Sequence, residues 1–546
     1  MRVVEVIGRA LTEAGVKQVF GVVGSGNFHL TNAMVAGGSR FVAARHEGGA
    51  ATMADSYART SGSVAALSVH QGPGLTNAMT GIAEAAKSRT PLLVLAAEVT
   101  DARSNFFVDQ EALARSVGAV PLRISSAARA AKEARAAVVL ALRERRTVLL
   151  NIPLGLHALE APPVPSPAAP PPERPAPAVP DDAEVTALAG LLEKARRPVF
   201  VAGRGARGPG CRAALEGLGE RYGALLATSA VARGLFNGNR WSLDVSGGFS
   251  SPSAAELIRG ADLLVSWGCS LTSWTTRHGR LIGPDTTVVQ VDDEPSALGG
   301  HRPVSLGVTG DVELTARRVL DLAGEARPGY RSPEIAARLA TRLRWRDVPY
   351  DDMSTDRRID PRTLSIALDD IIPAQRVLAV DSGNFMGYPS MYLSVPDENG
   401  FCFTQAFQSI GLGLATAIGA ALARPDRLPV AALGDGGALM GAAELDTVRR
   451  LGLPMLIVVY NDDAYGAEVH HFGPEGHALD TVRFPPTDLA AVARGYGFDA
   501  VTVRSRGDLD AVTAWVAGPR SAPMLVDAKV VSDHGAWWLE EAFHGD

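Results

Sequence analysis

The chain has 546 residues, 46% of them hydrophobic and 21% charged, with a formal net charge of -6 at pH 7. That length exceeds what one hydrophobic core organises and implies about three domains, while the acidic balance leaves no basic field for nucleic acid. Three cysteines, Cys211, Cys269 and Cys402, are too few and too widely spaced for a disulfide framework or a zinc knuckle.

The N-terminal MRVVEVIGRALTEAGV carries charges at Arg2, Glu5 and Arg9 that interrupt any signal-peptide core, and no apolar run reaches membrane-spanning length. A cytoplasmic location with no membrane partner is expected. Over residues 1–160, the β-rich runs Gln18 to Val23, Phe41 to Ala44, Val64 to Val69, Pro91 to Ala96 and Thr147 to Ile152 alternate with Ala-rich helical stretches. That pattern predicts a parallel sheet covered by helices. Residues 161–180 follow, with ten prolines in the nineteen residues from Pro162 to Pro180, and read as a semi-rigid linker.

A second α/β unit is expected over 181–325, with strands Pro198 to Ala202, Leu263 to Trp267 and Thr287 to Val291. Directly after the first of these stands a literal dinucleotide fingerprint, Gly203-Arg204-Gly205-Ala206-Arg207-Gly208. The acidic ribose-binding residue expected about twenty positions later is missing, because the next strand, near Ala224 to Ser229, ends in Thr228 and Ser229. A polar, Arg-rich linker over 326–358 leads to a third α/β unit over 359–546, with strands Val377 to Val380, Val430 to Leu433, Met455 to Tyr460 and Met524 to Ala528. The expected fold class is α/β, three doubly wound domains with mainly parallel sheets.

The sharpest chemical feature is Gly434-Asp435-Gly436-Gly437, between the strand Val430 to Leu433 and a predicted helix from Ala438 to Leu451. Glycines at a strand-to-helix turn let backbone N–H groups approach a diphosphate. An acid in such a site repels its ligand unless it holds a Mg2+ ion that bridges to the phosphate oxygens. The next strand ends in Asn461-Asp462-Asp463-Ala464-Tyr465-Gly466, and one crossover helix returns it to the same sheet edge, where its oxygens can reach the same metal. Read separately, both stretches are ordinary polar turns; their spacing is what joins them.

On these motifs the chain resembles, over essentially its whole length, the thiamine diphosphate enzymes of the acetolactate synthase, benzoylformate decarboxylase and pyruvate decarboxylase group. The resemblance implies a pyrimidine-binding first domain, a central Rossmann-like domain and a diphosphate-binding third domain. In that group a GDG triplet opens a segment closed by NN, and the carried-over metal ligands are Asp435, Asp462 and the carbonyl of Ala464; Asp462 stands where Asn is usual. Gly434, Gly436, Gly437, Tyr465 and Gly466 are the implied neighbours of the cofactor.

The resemblance assigns Glu47, in Arg45-His46-Glu47-Gly48-Gly49-Ala50-Ala51, to the aminopyrimidine ring, where a carboxylate on the ring nitrogen favours the imino form that deprotonates the thiazolium. An isolated Glu there would read as a helix N-terminal residue favoured by the macrodipole. Ile410 matches the apolar residue that props the cofactor into a bent shape. The cofactor lies between two subunits in this group, so a homodimer is the implied minimal unit, with a homotetramer as the expected assembly.

Substrate-side residues are carried over too. Ser25, after Gly24, matches a serine that contacts the substrate carboxylate, and Asn27 and His29 share its loop. His70, in His70-Gln71-Gly72-Pro73-Gly74, falls at an active-site histidine of benzoylformate decarboxylase, with Gln71 beside it. Glu468 matches a glutamate near the intermediate in pyruvate decarboxylase, and His470 and His471 follow it. The Gly-Pro-Gly turn resembles acetolactate synthases and leans toward carboligation, whereas Ser25 and His70 lean toward simple decarboxylation. A 2-oxo acid is the implied substrate. Some central domains of the group hold FAD; the missing acidic residue argues against it here. The C-terminal Asp533-His534-Gly535-Ala536-Trp537-Trp538-Leu539 is read either as a lid or as a helix docked by its tryptophans.

Overall fold

The computed structural model describes residues 1–161 and 176–539, so residues 162–175 of the expected proline-rich linker lie outside the described residues. The first sheet contains β1 (Gln18–Gly21), β2 (Arg40–Ala43), β3 (Ala65–Val69), β4 (Leu92–Glu98), β5 (Val120–Arg123) and β6 (Thr147–Pro153). The second contains β7 (Pro198–Ala202), β8 (Leu225–Thr228), β9 (Ser242–Val245), β10 (Leu263–Trp267), β11 (Thr287–Asp292) and β12 (Leu306–Thr309). The third contains β13 (Arg376–Val380), β14 (Phe401–Phe403), β15 (Leu428–Gly434), β16 (Leu456–Asn461), β17 (Asp499–Val503) and β18 (Met524–Lys529).

All ladders within the sheets are parallel. The first sheet has the order β2-β1-β3-β4-β6-β5, and the third repeats it as β14-β13-β15-β16-β18-β17. The second, β9-β8-β7-β10-β11-β12, has the order of the dinucleotide-binding Rossmann sheet. Central strands such as β3 and β4 are buried along their whole length, as expected of a parallel sheet covered on both faces.

Five strands without a sequence expectation, β5, β9, β12, β14 and β17, all lie at sheet edges. An edge strand is short and needs no continuous apolar run; β5 even contains Pro121. The expected helix Ala438 to Leu451 is also revised. The chain forms two short helices, Asp435–Met440 and Leu445–Arg450, separated by a 3-10 turn at Ala442–Glu444. The break turns the buried Glu444 carboxylate toward the first domain, where it accepts backbone N–H groups of Arg45 and His46.

The first and third sheets share one apolar core, in which Ala50, Met53 and Ala54 of the helix Glu47–Ser61 pack with Leu414, Ile418 and Ala421 of the helix Gly413–Ala423. The approach is close enough that a Cβ on Gly419 would collide with Ser56 Oγ and the Met53 carbonyl oxygen. Beside it Arg59, almost fully buried, pairs with Asp55 at 2.5 Å and Glu84 at 2.7 Å. Among the described residues no helix is long and apolar enough to cross a membrane. The three cysteines are free and buried.

Candidate active site

β15 and β16 are neighbours, with Gly434 opposite Tyr460, so the residues after both strands emerge at one edge of the sheet. The side chains of Asp435 and Asp462 come within hydrogen-bonding reach of each other there, and the Ala464 N–H donates to Asp462. Burial pushes both carboxyls above their ordinary range; the Asp463 charge raises Asp435 further and Asp435 raises Asp462 further, while the hydrogen bond from Asp462 pulls Asp435 back down. Two buried carboxyls at this separation either share a proton or hold a cation between them. Two carboxylates are hard oxygen donors that suit Mg2+ and leave positions for further oxygen ligands. Among the described residues no group of three or more His, Cys, Asp or Glu side chains is placed to hold a metal unaided. The donor set therefore fits a divalent ion completed by phosphate oxygens.

The neighbouring glycines have packing reasons to be glycine. A Cβ on Gly436 would lie 2.5 Å from Tyr465 Cε1, and one on Gly437 would collide with an Asp381 carboxylate oxygen. Tyr465 is held in turn by an edge contact with Phe484, with ring centroids 4.9 Å apart. Asp381 itself, buried at the end of β13, accepts the N–H groups of Ser382 at 2.8 Å, Gly411 at 3.0 Å and Leu412 at 3.3 Å. It thereby fixes the loop of Ile410, and burial pushes its carboxyl up to about 6.

A cavity of ≈ 1100 Å³ opens over this edge. Ile410, Gly434, Asp435, Gly436, Gly437, Asp462, Ala464, Tyr465, Gly466 and Glu468 all line it. His470 is half-buried against Gly535 on the same short helix, Gly466–Phe472, and His471 stacks edge-on against Phe472. Trp538 and Leu539 form part of the cavity wall. The Ala536 N–H donates to Asn384 Oδ1 and Trp538 Nε1 to the Asn384 carbonyl, both at 2.8 Å, so the C-terminal aromatic segment is docked by its tryptophans and is also a wall.

Ser25, Glu47 and His70 do not line this cavity. They gather at the carboxyl edge of the first sheet, where Gly21 lies opposite both Ala43 and Ser68. Glu47 opens the helix Glu47–Ser61 and accepts Asn77 Nδ2 at 3.1 Å. His70 Nδ1 faces the Gln71 carbonyl at 2.9 Å, which can only accept, so Nδ1 carries the proton. Nε2 then presents a lone pair to Ser25 Oγ at 3.3 Å. Gly74 lies between His70 and Glu47: its Cβ would be 3.2 Å from His70 Cβ and 3.4 Å from Glu47 Oε1.

The other loop residues differ in exposure. Asn27 is buried, accepting the Gly24 N–H at 2.8 Å and donating to the Val22 carbonyl and Ser68 Oγ at 3.1 Å each. Its amide is used in holding the loop. His29 is exposed beside Phe28. Gln71 is buried, and its Oε1 has no hydrogen-bond partner among the described residues.

Several contributors carry no sequence signal. Arg358 donates to Asp463 at 2.7 Å and to the Val530 carbonyl at 3.0 Å, gripping the turn after β16, where Asp463 has φ of 58°. Glu84 accepts the N–H groups of Ala406 and Phe407 at 3.1 and 2.6 Å on the loop leading to Ile410. Only Asp381, at the end of a predicted strand and two residues before a glycine, could have been marked beforehand. The dinucleotide fingerprint has a packing explanation: Cβ atoms on Gly203 and Gly205 would collide with the backbone of Gly268. The turn Arg204–Arg207 intervenes before the helix begins at Cys211.

Three family models match the chain: "Thiamine pyrophosphate enzyme, N-terminal TPP binding domain" over residues 1–116, the central domain over 185–319 and the C-terminal TPP binding domain over 381–528. The chain is 30% identical to the Mycobacterium tuberculosis protein named "Putative acetolactate synthase large subunit IlvB2", covering 87% of this chain and 88% of that one. It is 29% identical to "Probable 2-ketoarginine decarboxylase AruI" of Pseudomonas aeruginosa, over 92% and 89% of the two chains. It is 28% identical to the sulfoacetaldehyde acetyltransferase of Rhodobacter capsulatus, over 92% and 90%.

Proposed function

The chain belongs to the thiamine pyrophosphate enzyme family, and from that premise we propose that it decarboxylates a 2-oxo acid and transfers the remaining acyl carbon to a carbonyl acceptor, with Mg2+ as the metal. The observation that carries the reading is the close pair Asp435 and Asp462, which lines a cavity together with Ile410 and Glu468. Bound thiamine diphosphate supplies a nucleophilic carbon and an electron sink for the bond that loses carbon dioxide.

Every other task falls to the chain. Asp435, Asp462 and the Ala464 carbonyl hold the divalent ion, and the glycines beside them let backbone approach the diphosphate. Ile410 supports the cofactor's shape. Glu47, oriented by Asn77, hydrogen-bonds the aminopyrimidine ring. Ser25 receives the substrate carboxylate, and His70 moves a proton at Nε2. Because Ser25, Glu47 and His70 lie outside the cavity of their own chain, we place them opposite the cavity of a second copy, in a homodimer or a tetramer built from it. A cytoplasmic location suits the three unpaired cysteines.

The second reading, release of an aldehyde without ligation, is favoured by the Ser25 and His70 pair, which can deliver a proton where a carboligase delivers a carbonyl. Incubation with a panel of 2-oxo acids, with and without aldehydes, followed by mass analysis decides between them. A product joining donor and acceptor carbons supports the first reading and a free aldehyde the second. Failure to consume any 2-oxo acid in the presence of cofactor and Mg2+ would count against both.

A further inference from the structure

Glu444 belongs to the third domain, yet its carboxylate is spent on the first. Its Oε1 accepts the backbone N–H groups of Arg45 and His46, each at 3.0 Å, and its Oε2 accepts Thr447 Oγ1 at 2.6 Å. The side chain is buried, and Gly49 admits it: a Cβ there would lie 2.5 Å from Glu444 Oε1. The same segment grips the loop twice more. Arg450 Nη2 donates to the Ala43 carbonyl at 2.6 Å, and Asp446 accepts Arg45 Nε at 2.6 Å. The gripped residues, 43 to 46, lead directly into Glu47, whose helix begins one residue after His46.

A carboxylate accepting two adjacent backbone N–H groups fixes their direction far more tightly than a neutral acceptor does. We infer that Glu444 is a positioning residue for Glu47: it sets the entry angle of the Glu47 helix and so the direction in which the Glu47 carboxylate points. The inference rests on the proposed role of Glu47 toward the aminopyrimidine. It also has a geometric consequence. Only Gly441 separates the turn Ala442–Glu444 from the Asp435–Met440 helix, so the segment that grips the Glu47 loop is continuous with the metal edge of the same chain.

The test compares wild type, Glu444→Gln, Gly49→Ala and Glu47→Gln. Four quantities are read: amide deuterium exchange over residues 40–53 in the cofactor-free protein, deuterium exchange at C2 of bound thiamine diphosphate, cofactor affinity, and the thermal midpoint. Glu444→Gln is expected to speed amide exchange at Arg45 and His46 and to slow C2 exchange by about tenfold or more, the scale of loss that small misplacements cause. Cofactor affinity and the thermal midpoint should change little. Gly49→Ala, which crowds the carboxylate without removing its charge, should reproduce the slowing.

Unchanged amide protection in Glu444→Gln, or C2 exchange within about twofold of wild type, overturns the inference. So does slowing that merely follows a drop in thermal midpoint. Wild-type C2 exchange in Glu47→Gln would instead overturn the role of Glu47, and the inference with it; normal loss in that variant beside an unaffected Glu444→Gln isolates the failure to Glu444.

Discussion

Asp435 and Asp462 face each other at hydrogen-bonding reach across the ends of two adjacent parallel strands, where burial raises both carboxyl pKa values and Asp435 raises that of Asp462 further. The sign of the resulting pH dependence is fixed. Groups that hold a proton more tightly when folded stabilise the fold below the ordinary carboxylate range, and that contribution is lost as pH rises through their raised values. A divalent ion bound between them would take the proton's place at high pH. The rise in thermal midpoint on adding Mg2+ is therefore expected to grow between about pH 5 and about pH 8. Asp462→Asn should flatten that growth. Calorimetry across this range with and without Mg2+ checks both; a rise independent of pH would contradict the account.

Glu47→Gln is expected to lower turnover by two or more orders of magnitude, on the scale of general acid–base contributions, while the thermal midpoint stays near wild type. The amide oxygen can still accept Asn77 Nδ2, so the fold loses little. Steady-state kinetics beside a melting curve measure the two effects separately, and near-normal turnover would remove Glu47 from the mechanism.

Arg358→Met is expected to weaken Mg2+ binding by about tenfold to a hundredfold, the range seen when a supporting residue behind a metal ligand is lost. The variant frees Asp463 and the Val530 carbonyl, which Arg358 holds at 2.7 and 3.0 Å. Titration of Mg2+ at saturating cofactor reads the change. Equal affinity in wild type and variant would show that the turn keeps its shape unaided.

Gly419→Val should destabilise the protein by about 1 to 3 kcal/mol, the cost of overpacking a close contact. Its Cβ would meet Ser56 Oγ and the Met53 carbonyl oxygen, so helix Gly413–Ala423 must back away from helix Glu47–Ser61. Chemical denaturation gives the size, and a stability equal to wild type would mean that the two helices are not locked at this point.

The central strands were legible from sequence because a strand buried on both faces must be a continuous apolar run, as in β4 and β16. The edge strands β5, β9, β12, β14 and β17 were not, since one free side removes that demand. The expected helix from Ala438 to Leu451 failed for a different reason: nothing nearby in the chain announces that Glu444 must turn outward to two N–H groups about 400 residues away in sequence.

By itself the sequence determined the α/β alternation, the Gly434 to Gly437 turn and the acids at the ends of β15 and β16, because each depends on local backbone geometry and on the chemistry of neighbouring residues. Tertiary structure alone decided that Asp381 and Arg358 hold the loops around Asp435 and Asp462, and that Glu444 grips the loop leading into Glu47. These are contacts between segments far apart in the chain, and their geometry is set by how three sheets pack, which no short stretch of residues encodes.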